Sequence, residues 1–324
     1  MIWGNYDSLL LDLDGVVYEG AIAIEAAVST INGFSAAGLP IGYVTNNSSR
    51  KPETIALQLE GFGISCEPQT VISSGQTGVE LLAGKIAPGA KVLVVGGEGL
   101  RVRVIGAGFE LVGSSDEKPA AVIQGFSPDV SWRDLAEAAY SIQNGAVWVA
   151  TNSDWTIPQE RGLAPGNGTL ISAVHTAVGS LPDVAGKPEP AIFETAVREL
   201  DLSRPLFVGD RLDTDVLGAN RAGIDSALVM TGVSTRKELL AAGADSRPKY
   251  ILDTLADLKT PYHAPVATKR GYKCGKVSVE LLGNKVLVVD GDPRSLDALK
   301  AATAVVWNSG YAIHALDVEA AIYD

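Results

Sequence analysis

The amino-acid sequence predicts an α/β protein with a doubly wound parallel sheet, an inserted α/β domain and a small C-terminal α+β appendage. The first observation is an early alternation, with strands at 8–11 and 40–44 and a helix at 24–37. The second is a late alternation, with helices at 191–200 and 212–222 and strands at 206–208, 226–230 and 250–252. Such alternation is typical of a sheet whose helices cover both faces.

Each element of the early alternation has a physical reason. Residues 8–11 are a short apolar run, which is typical of a parallel strand covered on both faces. Apolar residues recur at helical spacing over 24–37, and Gly38 is suited to end that helix. Residues 40–44 form the next apolar run, at the distance that a strand–helix–strand unit requires.

The rest of the chain divides into an insert and a tail. Strands at 91–95, 120–124 and 147–150, helices at 100–107 and 132–144, and a glycine-rich loop at 151–168 predict an inserted domain at 80–183. The core is then 1–79 and 184–262. The C-terminal extension, 263–324, reads as a basic hairpin, a strand at 285–290, a helix at 295–308 and a strand at 312–316. About 60 residues make a marginal domain, so we expect the extension to pack on the main body or on another subunit.

Composition and charge exclude several classes of function. The 26 Lys and Arg against 38 Asp and Glu give a net charge of −12, which repels nucleic acid and anionic membranes. The sequence has no run of about 18 apolar residues, so we expect no membrane span. The first residues lack the pattern of a secretory signal. Cys66 and Cys274 are far apart without metal-like spacing, so we expect a reducing, cytoplasmic location.

A pair of carboxylates directly follows the first predicted strand. Asp12 and Asp14 are two residues apart, so their side chains leave the strand on the same face. Ligands bind at the carboxyl ends of strands in open α/β sheets. Two adjacent acids are tolerated mainly when a cation or a shared proton offsets their repulsion, and Mg²⁺ suits oxygen ligands. We expect Gly15 to turn the backbone sharply and to present its N–H to an anion.

Further polar clusters follow later strands. The Thr-Asn-Asn segment at 45–47 offers groups that receive phosphate oxygens, although such clusters are also ordinary helix caps. Lys187, between a glycine and a proline, either balances phosphate and carboxylate charge or is a solvated loop residue. Asp210 ends another apolar strand and could complete a magnesium site. Asp215 could orient Lys187 or a metal-bound water.

In this order the clusters resemble the four motifs of the haloacid dehalogenase superfamily of phosphatases. The acid pair matches the first motif, Thr45 the second, Lys187 the third, and the pair Asp210 and Asp215 the fourth. The insert resembles the large α/β cap of the branch with NagD, 4-nitrophenylphosphatases, pyridoxal phosphatase and phosphoglycolate or glycerol-3-phosphate phosphatases. The resemblance covers residues 5 to about 260. Residues 266–324 fall outside it, and are similar to an extension of some actinobacterial relatives.

The resemblance implies a mechanism and a set of roles. By the resemblance, Asp12 would be the nucleophile that forms an aspartyl-phosphate, and Asp14 would be the general acid and base. Mg²⁺ would be held by the carboxylates of Asp12 and Asp210 and by the Asp14 carbonyl, and Asp215 would orient these ligands without binding the ion. The residues that bind the phosphate or the substrate are Thr45, Asn46, Asn47 and Lys187.

The cap is expected to select the leaving group, since the core recognises little beyond phosphate. Candidate contacts in its loop are Asp154, Arg161 and Asn167, each of which could equally be an ordinary loop residue. Glycerol 3-phosphate is the first expectation for the small phosphorylated substrate, with phosphoglycolate, pyridoxal phosphate and nucleoside monophosphates left open. A phosphotransferase or mutase is disfavoured by the long insert, and a non-catalytic binding protein by the intact acids and lysine. Assembly into a homo-oligomer stays open.

Overall fold

Residues 2–159 and 161–324 are described by a computed structural model, and internal packing separates them into two compact units. The first unit comprises Met1–Ile41 with Ser203–Asp324, and the second comprises Gly42–Leu202. This division rests on which residues pack together, whereas the predicted core, cap and extension rest on patterns along the sequence. Those predicted boundaries stay a prediction.

The first unit contains a parallel sheet with fully buried strands. In spatial order the strands are Tyr250–Leu252, Ser226–Val229, Pro205–Gly209 and Ser8–Leu11. Every residue of these strands is buried, as expected when both faces are covered. The α-helices of this part are Glu25–Ala36, Leu217–Arg221 and Arg236–Leu240. A short hairpin, Tyr18–Glu19 with Ile22–Ala23, follows the first strand. The carboxyl ends of these strands therefore lie at one edge, where a site can form.

The C-terminal extension belongs to this unit and forms a second sheet with one long helix, Leu296–Asn308. Its strands in spatial order are Val266–Ala267, Gly271–Cys274, Val277–Leu282, Lys285–Asp290 and Asp317–Val318. The strand predicted at 312–316 is wrong, because Ile313–Ala315 is a 3₁₀ turn. Residues 311–315 are exposed, so no sheet face buries them, and pairing begins when the amide of Asp317 donates to the carbonyl of Asn284 (2.8 Å).

The extension shares a hydrophobic core with the parallel-sheet part of the first unit. Leu299 and Val279 of the extension, both 0% exposed, belong to the same cluster as Leu239 and Ile251. Of the two expected arrangements, packing on the main body is therefore the one observed within this chain. Burial of this apolar surface makes the extension an integral part of the unit.

Replacing Leu299 by alanine is expected to destabilise the whole first unit. The change leaves a cavity in the shared core and should cost about 2–5 kcal/mol in the free energy of unfolding. Urea titration followed by tryptophan fluorescence measures the loss. Leu282→Ala in the same extension, where the side chain is 40% exposed, should cost less than about 1 kcal/mol. Equal losses for the two variants would contradict the shared core.

The second unit holds a parallel pair and a larger parallel sheet. The pair is Ile41–Thr45 with Val71–Ser73. The larger sheet runs in the order Asp183–Val184, Val147–Ala150, Ala121–Gln124, Lys91–Val95 and Glu110–Val112. The α-helices are Pro52–Gly61, Ser74–Ala83, Glu98–Gly106, Trp132–Gln143, Asn167–Val178 and Ala191–Glu199. Within the described residues of both units, no helix has the length and apolarity needed to span a membrane.

The segment predicted as a loop at 151–168 has more structure than expected. It contains the antiparallel hairpin Thr156–Gln159 with Gly162–Pro165, and the next helix begins at Asn167. The glycines of this segment made the sequence resemble a loop, but in the structure they allow close contact between main-chain segments. The amides of Gly166 and Gly168 donate to the carbonyls of Trp155 (2.8 Å) and Asp154 (2.9 Å), and a Cβ at either glycine would collide with the Ser153–Asp154 backbone.

Candidate active site and metal centre

The acid pair lies where the strand Ser8–Leu11 ends. The amide of Asp12 donates to the carbonyl of Val208 (2.9 Å), which extends the pairing with the neighbouring strand, and Asp12 is 8% exposed. Asp14, two residues on, is exposed. Gly15 has φ +81°, the sharp turn expected there. Its N–H donates to the carbonyl of Tyr18 (2.8 Å), so the expectation that this N–H faces an anion is wrong.

The carboxylate of Asp210 lies in a cradle that two glycines create. Asp210 follows the strand Pro205–Gly209 and is 1% exposed. The amide of Val233 donates to its Oδ2 (2.6 Å). A Cβ at Gly15 would lie 2.6 Å from Oδ2, and one at Gly232 would collide with it. Glycine is therefore required on both sides of this carboxylate.

Asp215 orients the main chain around the same strand end. Its Oδ2 accepts hydrogen bonds from the amides of Asp210 and Arg211, both at 3.1 Å. A π-helical turn, Leu212–Val216, carries Asp215 back toward the strand, and a Cβ at Gly209 would collide with its side chain. Asp215 is 0% exposed. It therefore holds the backbone that presents Asp210.

Three of the predicted carboxylates form one buried cluster. Single oxygens of Asp12, Asp210 and Asp215 lie within 4.8 Å of one another. Three negative charges away from water repel strongly unless a cation offsets them. Oxygen donors at this density are what Mg²⁺ prefers, so the residues fit that ion. The Asp14 carboxyl group is not among the three that form this cluster, and a metal contact through the Asp14 carbonyl stays a prediction.

The Asp14 carboxyl group has a different environment from the cluster. Desolvation by the surrounding protein raises its pKa above the usual value, although the residue keeps exposed surface. A backbone hydrogen bond from Gly20 lowers the pKa, and the charge of Glu19 raises it again. A carboxyl group with a raised pKa is suited to donate a proton.

In the second unit, Asn46 and Lys187 pair through the peptide of the lysine. The Asn46 side-chain amide donates to the Lys187 carbonyl (3.0 Å), and its Oδ1 accepts from the Lys187 amide (2.8 Å). A Cβ at Gly186 would lie 2.6 Å from that Oδ1, so the close approach requires glycine. Lys187 is 3% exposed, and its ammonium donates to the carbonyl of Val44 (3.4 Å). Asn46 thus positions the lysine.

Thr45 and Asn47 take local roles at the end of the strand Ile41–Thr45. The Thr45 hydroxyl accepts a hydrogen bond from the amide of Asn47 (3.1 Å). The Asn47 Oδ1 accepts from the amides of Ser49 (3.1 Å) and Arg50 (3.0 Å). The capping interpretation therefore describes the Asn47 side chain, and a contact of Asn47 with substrate stays a prediction.

Replacing Asn46 by alanine is expected to lower kcat/KM by about tenfold to a hundredfold, because the lysine peptide loses both partners. Initial rates of phosphate release against substrate concentration measure the effect. Asn144→Ala, at the exposed end of the helix Trp132–Gln143, should retain the wild-type rate. An Asn46→Ala variant with unchanged kcat/KM would contradict the positioning role.

The three cap candidates differ in their surroundings. The Asp154 carboxylate accepts a hydrogen bond from the side-chain amide of Asn46 (3.1 Å). Arg161 is exposed in the turn of the hairpin. Asn167, 0% exposed, donates to the carbonyl of Asn152 (2.8 Å), which is a structural contact. A direct contact of Asn167 with substrate stays a prediction.

Sequence reasoning missed the loop that covers Asp210. Gly232 and Val233 contact the carboxylate, and Ser234 donates its amide to the Asp210 carbonyl (3.1 Å). The available signal was their position directly after the predicted strand at 226–230. Asn152 was also missed, although its side chain donates to the carbonyl of Asn46 (2.8 Å).

Comparison with known proteins identifies the class. A model described as haloacid dehalogenase-like hydrolase matches residues 9–110, and one described as HAD-hydrolase-like matches residues 184–258. The D-glycerol 3-phosphate phosphatase of Mycobacterium tuberculosis is 40% identical over 314 residues, which are 94% of this chain and 87% of that protein. The chain therefore belongs to the haloacid dehalogenase-like hydrolases.

Phosphatases are its relatives within that family. An acid sugar phosphatase of Staphylococcus saprophyticus is 38% identical over 237 residues, 72% of this chain and 90% of that protein. A crystal structure of glycerol phosphate phosphatase from Mycobacterium tuberculosis in complex with magnesium has a TM-score of 0.87 at 38% identity, covering 98% of this chain and 94% of that one. The structure of p-nitrophenyl phosphatase from Archaeoglobus fulgidus has a TM-score of 0.73 at 29% identity, covering 78% of this chain and 98% of that one. The predicted family, fold class and enzyme class are confirmed.

Proposed function

We propose that the protein is a Mg²⁺-dependent phosphatase that hydrolyses glycerol 3-phosphate, or a similar small polyol or acid phosphate, through an aspartyl-phosphate. The buried cluster of Asp12, Asp210 and Asp215 carries the proposal, because it provides a nucleophile beside a cation site. The 40% identity to a D-glycerol 3-phosphate phosphatase supports the choice of substrate.

The reaction has two steps, each of which uses the acid pair. In the first, a carboxylate oxygen of Asp12 attacks phosphorus while the bond to the ester oxygen breaks, and Asp14 gives its proton to the departing alkoxide. In the second, Asp14 takes a proton from the water that attacks the aspartyl-phosphate, which releases phosphate and restores Asp12. The raised pKa of Asp14 supports its role as the acid. Mg²⁺, when held by Asp12, Asp210 and the Asp14 carbonyl, supplies positive charge that offsets the charge developing on the phosphoryl group.

Other residues bind and orient. We assign the binding of the phosphoryl oxygens to the Thr45 hydroxyl, the main-chain amide of Asn46 and the Lys187 ammonium. These neutral and cationic donors hold a phosphoryl group without reacting with it. Asp215 holds the main chain at Asp210 through its two amide contacts. For the leaving group we assign Asp154 and Arg161, which lie on the cap loop and its hairpin.

A panel of phosphomonoesters tests the proposal. Phosphate release is measured for both enantiomers of glycerol 3-phosphate, phosphoglycolate, pyridoxal phosphate and nucleoside monophosphates, with Mg²⁺ and after removal of the metal with EDTA. We expect the highest kcat/KM for a glycerol 3-phosphate enantiomer, and loss of activity in EDTA that added Mg²⁺ restores. Release without an activating bisphosphate separates a phosphatase from a mutase. Activity on none of the panel would contradict the proposal.

We propose a cytoplasmic location, supported by Cys66 and Cys274, which are both buried and free. The net charge of −12 favours a small metabolite over nucleic acid as partner.

A further inference from the structure

We propose that the C-terminal extension acts on the metal site through Arg236, a positioning residue that holds the loop against Asp210. The inference rests on one part of the proposed function, the assignment of Asp210 as a magnesium ligand, and not on the phosphatase reaction itself. It assigns the extension a role in metal affinity beyond its contribution to stability.

The first step is the loop between the strand Ser226–Val229 and the helix Arg236–Leu240. Beyond its contact with the Asp210 carboxylate through Gly232 and Val233, this loop also bonds to the main chain of Asp210 and of Leu212. The amide of Ser234 donates to the carbonyl of Asp210 (3.1 Å), and the Ser234 hydroxyl accepts from the amide of Leu212 (3.0 Å). Ser234 is 9% exposed, so these bonds are shielded from water. The position of the loop therefore sets the position of the carboxylate.

The second step is the residue that follows this loop. Thr235 caps the short helix with its side chain, and Arg236 is the first helical residue. One guanidinium nitrogen of Arg236, Nη1, donates to the carbonyls of Arg294 (2.6 Å) and Ile322 (3.4 Å). Both carbonyls belong to the C-terminal extension, one just before its helix and one near the end of the chain. Arg236 thus ties the end of the loop to two separate segments of the extension.

Apolar packing supports the same link. Leu212 and Val216 lie in the turn that carries Asp215, and they belong to the hydrophobic cluster that contains Leu299 and Ile322 of the extension. The turn and the loop on either side of Asp210 are therefore both anchored in the extension, one by packing and the other by hydrogen bonds.

The consequence for the metal site is electrostatic. The carboxylates of Asp12, Asp210 and Asp215 repel one another within 4.8 Å, so a mobile Asp210 would turn away from the cluster. Contacts that fix a ligand before the ion arrives raise its affinity, and loss of such contacts typically lowers metal affinity about 10- to 100-fold. Arg236 therefore favours the conformation that binds the ion.

The test compares Arg236→Gln with Lys237→Gln. Each variant removes one positive charge from the same helical turn, but Lys237 is exposed and its ammonium lies 5.8 Å from the Tyr323 ring centroid. Calorimetric titration with Mg²⁺ gives the Kd, and phosphate release gives kcat and KM at saturating Mg²⁺. We expect Arg236→Gln to raise the Mg²⁺ Kd about tenfold, with kcat within about twofold of wild type when the metal is saturating. Lys237→Gln should match wild type in both.

Arg236→Lys guards against a misfolded variant, since lysine keeps one donor for these carbonyls and should give an intermediate Kd. A lowered unfolding midpoint with an unchanged Mg²⁺ Kd in Arg236→Gln would overturn the inference, because the residue would then be merely structural. Failure of the wild type to release phosphate, with the predicted shift in Kd still present, would sink the proposed function and leave this inference standing. Mg²⁺ affinity unaffected by Asp210→Asn would overturn it, because Asp210 would not be a ligand.

Discussion

Asp12→Asn is expected to abolish phosphate release while leaving the fold in place, even at Mg²⁺ concentrations high enough to offset the charge that the cluster loses. The asparagine has nearly the shape of the aspartate, but its amide oxygen is too weak a nucleophile to attack phosphorus. Loss of a covalent nucleophile should lower kcat by at least about a thousandfold. The backbone bond from residue 12 to the Val208 carbonyl (2.9 Å) does not involve the side chain, so the strand end should keep its structure.

Single-turnover and steady-state phosphate release measure this loss, and mass spectrometry establishes that no asparagine has deamidated to aspartate. Asp116→Asn, at an exposed carboxylate in the second unit, serves as the matched control and should retain wild-type turnover. Near-normal turnover in a pure Asp12→Asn sample would show that another group attacks phosphorus.

Asp210→Asn is expected to remove most of the Mg²⁺ affinity and to lower kcat/KM at least about a hundredfold at a fixed, moderate Mg²⁺ concentration. The side-chain oxygen of asparagine still accepts the bond that the Val233 amide makes to Oδ2 (2.6 Å), so the loop should stay in place. The cluster loses one of its three negative charges, and with it much of the attraction for a divalent cation.

Stability provides a second signature of the same change. Without Mg²⁺, Asp210→Asn should unfold at the same temperature as wild type or higher, because repulsion among the buried carboxylates falls. With Mg²⁺, wild type should gain stability by mass action and the variant should not. Asp213→Asn, an exposed acid in the same turn paired with Arg211 at 2.8 Å, is the control and should respond to Mg²⁺ like wild type. Equal Mg²⁺ stabilisation of the Asp210 variant would remove this residue from the metal site.

Local patterns in the sequence were enough for the fold class and for the residues of the motifs. The strand Ser8–Leu11 is recognisable because four successive apolar or small residues are buried on both faces, and the strand Lys91–Val95 for the same reason. Asp12 and Asp14 are recognisable because they directly follow this apolar run and precede a glycine, and the structure gives that glycine the positive φ of a sharp turn. These features depend on a few consecutive residues, so they can be predicted without knowledge of the packing.

The partners of these residues depend on contacts between distant parts of the chain. The Asn46 side chain meets the Lys187 peptide 141 residues away, and Arg236 meets the carbonyls of Arg294 and Ile322 at separations of 58 and 86 residues. No periodicity or motif marks such pairs, because a hydrogen bond to a main-chain carbonyl carries no sequence signature at the acceptor.

The sequence alone therefore established an α/β phosphatase fold with its acids and lysine, since strand ends and turn residues are local properties. Tertiary packing determined that Asp215 joins Asp12 and Asp210 in one buried cluster, and that glycines at 15 and 232 make room for the Asp210 carboxylate. It also placed the C-terminal extension in one hydrophobic core with Leu212 and Val216 of the turn that carries Asp215. These features form when segments far apart in the sequence pack together and exclude water. They cannot be predicted from any one segment, because each contact needs both partners.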